Sequence, residues 1–222
     1  QGKTIITNCE NTSTGVVWVN GICSSNLDLG GVVGGPNSTL VDITYCTNNG
    51  AVKQTKKNSG QNYIGGVVGY AYTWNKISHC TNNGPVETVG SSKRNYVGGV
   101  VGYARHMSGP SEISDCVNTY PLVFTGDGGD SGYWAGGVIA CSTFEGPEYE
   151  FVMKNLYNVA DLTFEGRATA GTLRLGGIVG HSRYTVHDSY CYGDIKAIGK
   201  KGYIGLIMGT PRMFEESAGK GY

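Results

Sequence analysis

The chain has 222 residues, with 17 Lys plus Arg against 17 Asp plus Glu, so its formal net charge is zero and composition gives no electrostatic case for nucleic acid. Glycine fills 37 positions, charged residues are only 15%, and hydrophobic residues reach 39% with 15 Tyr. This composition disfavours long helices, a disordered chain and, for want of a triplet period, collagen; a turn-dense, β-rich fold remains.

Two phrases alternate along the chain. Ile6-Thr7-Asn8-Cys9-Glu10-Asn11 opens the first phrase, which returns as Ile43-Thr44-Tyr45-Cys46-Thr47-Asn48-Asn49-Gly50, as Ile77 to Gly84 and as Ile113 to Asn118. Degenerate copies run from Met153 to Asn158 and from Val186 to Gly193. The second phrase is Leu29-Gly30-Gly31-Val32-Val33-Gly34, repeated as Ile64 to Gly69 and Val97 to Gly102, with weaker forms at Ala135 to Ala140, Leu175 to Gly180 and Ile204 to Gly209. Its first glycines are spaced by 35, 33, 38, 40 and 29 residues. Between the phrases lie short apolar segments such as Ala51-Val52, Pro85-Val86 and Asp161-Leu162.

Constant phrases at variable spacing describe strands stacked on their equivalents, with polar loops whose length matters little. Those loops are expected at Gln54 to Asn62, Val89 to Asn95, Arg105 to Ser111, Gly126 to Tyr133 and Phe144 to Tyr149. Strands of ~4 to 6 residues that contain glycine cannot stand alone, so burial between neighbouring units must hold them. We expect an all-β, right-handed parallel β-solenoid (β-helix) of about six coils in one domain over 1–222. Within it, 1–29 forms a first irregular coil, 30–209 the glycine-pair coils, and 210–222 a cap or tail. The competing fold is a β-propeller, whose kelch blades also carry paired glycines but run to ~50 residues. The longest apolar runs, such as Tyr203 to Met208, fall short of the ~18 residues of a membrane-spanning helix. Gln1 opens ordinary polar sequence, which reads as a mature protein or a domain cut from something longer.

The Gly-Gly-apolar-apolar-Gly phrase followed by Ile-x-x-Cys-x-Asn-x-Gly resembles the GLUG-motif repeats of bacterial secreted and cell-surface proteins, which also occur in the non-catalytic part of some immunoglobulin-cleaving metallopeptidases. The likeness spans Ile6 to about Gly209 and is strongest between Gly30 and Asn118. Leu156 and Ser189 depart from it at the cysteine, and Leu206 at the second glycine. The resemblance implies an extracellular or cell-surface repeat scaffold with an adhesin-like role, and no reaction.

Stacking turns repeat positions into columns. Cys9, Cys46, Cys80 and Cys116 share one, and the odd total of seven, with Cys23, Cys141 and Cys191, leaves at least one thiol unpaired in a monomer. Side chains pointing in parallel hold their Cβ atoms wider than a disulfide prefers, so reduced, inward-facing thiols are expected. Asn11, Asn48, Asn82, Asn118 and Asn158 read as an amide ladder at a turn. Alternation from Ile64 and Val97 points Tyr63, Tyr96, Trp134 and Tyr203, with Arg174, outward, and Tyr70 and Tyr103 follow just after the motif. This aromatic row is the candidate ligand-binding strip, suited to a glycan or a host surface protein, with rung-to-rung stacking as its structural counterpart. The adjacent apolar pairs Val67-Val68 and Val100-Val101 conflict with simple alternation, and either a bulge or a covering partner accounts for them.

The column for acid–base chemistry is Tyr45, His79, Asp115, Asn155 and Asp188, expected on the outside; its two acids are two levels apart, near the ~9.5 Å limit of an inverting glycosidase pair. Gly129-Asp130-Ser131-Gly132 has the form of the nucleophile segment of chymotrypsin-like proteases, but Tyr133 replaces a further glycine, and a flexible insertion is the simpler reading. Asp127 and Asp130 are a weak calcium loop, and His187 with Cys191 gives only two zinc-ligand positions. We therefore expect a non-catalytic binding scaffold without cofactor or metal, as a monomer or part of a larger chain. The alternatives are a polysaccharide-cleaving β-helix enzyme and a pure spacer.

Overall fold

The structure is a computed structural model and describes residues 3–35, 40–72, 74, 76–91, 93–106, 109–125, 132–144, 150–165, 172–198 and 202–211. Among these residues there is no helix, and every strand pairing is parallel, in sheets of ten, six, six and five strands. The chain is a β-solenoid. The segments from Gly126 to Ser131, including the protease-like and calcium-like loop, lie outside the described residues, as does 212–222.

Each coil has four sides. Sheet A carries the cysteine phrase, as in Val41–Thr44 and Thr47–Asn48. Sheet B carries the short apolar segments, as in Ala51–Gln54 and Leu122–Thr125. The glycine phrase supplies two sides rather than the single strand expected: Asn62–Gly65 lies in sheet C and Val68–Tyr72 in sheet D. In register, Leu29, Ile64, Val97, Ala135, Leu175 and Ile204 form one column, and Ile43, Ile77, Ile113 and Met153 another.

The glycines force the corner between sheets C and D inward. A Cβ on Gly65 would collide with the Val68 carbonyl, and one on Gly66 with the Gly99 carbonyl and the Asn82 amide. In the first four phrases the second glycine therefore rests on the asparagine ladder of the opposite wall, and in the fifth Gly177 rests on Cys191. This pinch divides the interior into two cores. Sheets A and D enclose Ile43, Cys46, Val67, Val68, Ile77 and their equivalents. Sheets B and C enclose Val52, Ile64, Val86, Val97, Phe124 and theirs. The valine conflict resolves here: Val67 lies in the corner and Val68 begins sheet D, so both are fully buried without a covering partner.

Sheet A contains a second device. Asn8, Tyr45, His79, Asp115, Asn155 and Asp188, the residues just before the cysteine position, all have φ between 45° and 55°. One left-handed residue per coil resets the inward–outward parity, so Ile43 and Cys46, three apart, both face the core. Asn, Asp and His tolerate this conformation; Tyr45 does so at greater cost.

The loops are more structured than expected. Gln54 and Asn58, within a segment read as a free loop, are buried, and Asn58 bridges to Ser91. Gln54 Nε2 donates to the Gly90 carbonyl, Asn62 Nδ2 donates to Gln54 Oε1 and Asn95 Oδ1, and Asn58 Nδ2 donates to Asn62 Oδ1. One level up, the same two columns turn apolar together: Thr88 is followed by Phe124 and Phe164, and Asn95 by Tyr133 and Leu173. At the other side, Trp74, His106 and Phe151 close the first core, with Ser111 bonded to His106 Nδ1 at 2.7 Å and to the Trp74 carbonyl at 3.1 Å.

Candidate functional site

Because the C/D corner turns inward, its outer side is a re-entrant crease running along the solenoid axis. Two strands of every coil face each other across it, and this places the aromatic row. Tyr63, Tyr96 and Trp134 come from sheet C, Tyr70 and Tyr103 from sheet D, and together with Ala140 and Cys141 they form a third apolar cluster separate from both cores. Tyr63 stacks on Tyr70 at 4.8 Å and on Tyr96 at 5.0 Å, Tyr96 meets Tyr103 at 4.7 Å, and Trp134 meets Tyr96 edge-on at 5.1 Å.

The row is outside the cores as alternation requires, but it is not the exposed strip that alternation alone implies. Tyr63, Tyr96 and Trp134 are 8%, 3% and 9% exposed, because the crease lets each ring cover its neighbours. Tyr70 and Tyr103 are half-buried and Tyr203, in the last coil, is 51% exposed. The hydroxyls have local partners: Tyr63 donates to Gln61 Oε1 at 3.1 Å, Arg94 donates to the Tyr96 oxygen at 3.1 Å, and Tyr103 pairs with the Thr143 hydroxyl at 2.6 Å. Burial raises the phenol pKa of Tyr63, Tyr70 and Tyr96, and pushes Tyr103 up to about 12.

The upper crease also gathers guanidinium groups, most of which the repeat reading passed over. Arg94 and Arg174 both lie over the Trp134 indole, 4.5 and 4.3 Å from its ring centre, and Arg105 lies over Tyr72. His181 packs on Trp134 at 4.6 Å and its Nδ1 is 2.9 Å from the Thr210 carbonyl. Cys141 is fully buried here; burial pushes its thiol up against the opposing pull of Arg174, Arg94 and Arg183. Asp28 stands at the other end of the crease in register with Tyr63, its carboxyl raised by burial. The available signal was arginine at or beside the aromatic position in coils three and five, visible only once sheets C and D are known to face each other.

The other columns are where the sequence places them. Cys46, Cys80 and Cys116 are fully buried and unpaired, while Cys9, at the end of that column, is exposed. The asparagines form a continuous ladder in which each Nδ2 donates to the next Oδ1: Asn11 to Asn48, Asn48 to Asn82, Asn82 to Asn118 and Asn118 to Asn158, at 2.7 to 2.8 Å. Cys191 ends it, its sulfur 3.5 Å from Asn158 Nδ2. In the left-handed column, Tyr45 stacks on His79 at 4.5 Å and Asn155 donates to Asp115 at 2.9 Å. Partial burial raises the Asp115 carboxyl, but bonds from Asn155 and Ser114 and the charges of His79 and Lys154 outweigh it, holding the group below the usual carboxylate value. Among the described residues no three His, Cys, Asp or Glu side chains group as metal ligands, and no helix is long and apolar enough to cross a membrane.

Residues 60–90 match the family model of the GLUG motif. No curated protein and no solved structure matches the chain. The matched stretch runs from Gly60 to Gly90 and takes in one inward corner, Gly65-Gly66, together with Cys80 and Asn82 on the wall it touches. With that motif seated on stacked parallel strands whose levels repeat the same corner and ladder, the chain fits a GLUG-repeat β-helix family.

Proposed function

We propose that this repeat scaffold is a non-catalytic binding module, secreted or held at a cell surface, that takes a glycan along the rim of its aromatic crease. The observation that carries the reading is the crease itself. It is a third apolar cluster on the outside of the coil, where ring stacking fixes Tyr70 and Tyr103 in place with faces or edges left to solvent, and Tyr203 continues the sheet C column, 51% exposed, in the last coil. Preorganised aromatic surfaces flanked by hydrogen-bonding groups suit sugar rings, whose C–H faces pack on them. The adhesin-like and extracellular part of the proposal rests on the resemblance to GLUG repeats.

Acid–base cleavage is supported less well. Asp115 is committed to Asn155 and held ionised, so it lacks the raised pKa of a general acid, and its column neighbour Asp188 is two levels away. The test is a glycan array with the purified protein and Tyr203→Ala, chosen because Tyr203 is exposed and its loss leaves the cores intact. Selective binding by the native chain that Tyr203→Ala weakens is expected. An array with no binding above background would overturn the proposal in favour of a spacer.

A further inference from the structure

We infer that the upper half of the crease is an anion-recognising subsite, and that the glycan it takes is acidic, carrying carboxylate or sulfate groups read by Arg174. The inference rests on the crease being the glycan site proposed above.

Arg174 occupies the aromatic position of the fifth coil, in register between Trp134 and Tyr203. Its guanidinium lies over the Trp134 ring, yet among the described residues it makes no hydrogen bond and no ion pair, and its Nε is buried without a partner. The indole Nε1–H of Trp134, itself 9% exposed, is likewise buried and unpaired. A half-buried cation and a buried donor side by side, both unsatisfied, are costly unless something supplies acceptors. Burial also lowers the Arg174 pKa, the direction expected of a charge waiting for a counter-ion.

The surroundings favour an anion over any other occupant. Arg94, from the coil before Trp134, and Arg174, from the coil after it, lie over the same indole at 4.5 and 4.3 Å, so two guanidinium groups converge on one ring of the crease. A guanidinium presents a planar fork of donors that matches carboxylate and sulfate oxygens. The acid of the crease, Asp28, is at the opposite end, in register with Tyr63, so the crease is polarised along the axis. A zero net charge gives none of the long-range attraction that nucleic acid binding draws on, whereas an acidic sugar needs only this local cluster together with the half-exposed rings of Tyr103 and Tyr203.

The experiment measures affinity of the whole chain for three probes: oligogalacturonate, which carries carboxylates, sulfated dextran, which carries sulfates, and neutral dextran. It is repeated with Arg174→Gln and Arg174→Lys, with thermal unfolding run on each variant to confirm folding. Binding to one or both acidic probes and not to neutral dextran is expected, weakened by rising salt. Arg174→Gln should reduce it about tenfold or more, as loss of a charge-assisted bond does, and Arg174→Lys should recover part of it. The acidic probe that binds identifies the anion. Equal binding of neutral dextran, or acidic binding indifferent to Arg174→Gln, overturns this inference while leaving the glycan reading standing. No binding to any probe, with array hits confined to neutral glycans, overturns it too, and an empty array overturns both.

Discussion

At the scale of single residues, the ladder asparagines carry more stability than their number suggests. Asn82 is fully buried; its Nδ2 serves both the Gly84 carbonyl and Asn118, and its Oδ1 accepts from Asn48. Truncating it removes the partner of an amide above, an amide below and a turn carbonyl, all in the buried interior. Asn82→Ala is expected to destabilise by about 3 kcal/mol. The adjacent Asn83, whose side chain bonds Asn49 on the exposed surface, should cost less than about 0.5 kcal/mol when replaced by alanine. Urea midpoints of the two variants check this, and equal shifts would contradict the ladder. The left-handed column gives a second contrast. Tyr45 at φ 55° should accept asparagine with little loss, whereas Tyr45→Ile forces a β-branched side chain into the same conformation and should cost ~1 to 2 kcal/mol more, read by the same denaturation.

At the scale of elements, the inward corner sets the cross-section, and it depends on what a Cβ would meet. At Gly66 it would meet a backbone carbonyl of the next coil and a ladder amide, neither of which can move without opening a sheet. Gly66→Ala should therefore cost several times the ~1 kcal/mol typical of a mutation, and lower the thermal midpoint sharply. Gly21→Ala, with nothing within 4 Å, should leave it unchanged. If both substitutions are tolerated, the corner is not what separates the two cores. The repeat, the parallel stacking, the thiol column and the amide ladder were legible in the sequence because each is a periodic identity. The corner was not. Gly65-Gly66-Val67-Val68 reads as one strand with a parity fault, and only three-dimensional contact with Asn82 shows that it is two strands and a turn. The fate of the aromatic row depended on that corner, since the same tyrosines on a convex face would be exposed. The buried Gln54, Asn62 and Asn95 network was hidden for another reason: it occupies only the second and third coils and is then replaced by Phe124, Tyr133 and their neighbours, so it has no period to detect.

At the scale of the whole molecule, each coil is held by the coils above and below, so stability should vary with position along the axis. The gradient is visible in burial. Ile64 and Leu175 are fully buried, but Ile204, in the same column of the sixth coil, is 53% exposed; in the first coil Ile6 and Val17, in register with the fully buried Ile43 and Val52, are only partly buried. The seven cysteines report this gradient directly, since Cys46, Cys80, Cys116 and Cys141 are buried in coils two to four, Cys9 is exposed in the first coil, and Cys23 and Cys191 are intermediate. Hydrogen bonds between stacked thiols and burial raise the pKa of Cys46 and Cys80 above the ordinary thiol value, which suppresses the reactive thiolate further. Titration of the native chain with a thiol reagent at pH 8 should modify Cys9 first and Cys23 and Cys191 more slowly. The four buried thiols should react only when denaturant unfolds the central coils, and then together. Peptide mapping of the modified sites gives the order, and early reaction of Cys80, at the centre of the column, would mean that the middle of the solenoid opens without its ends.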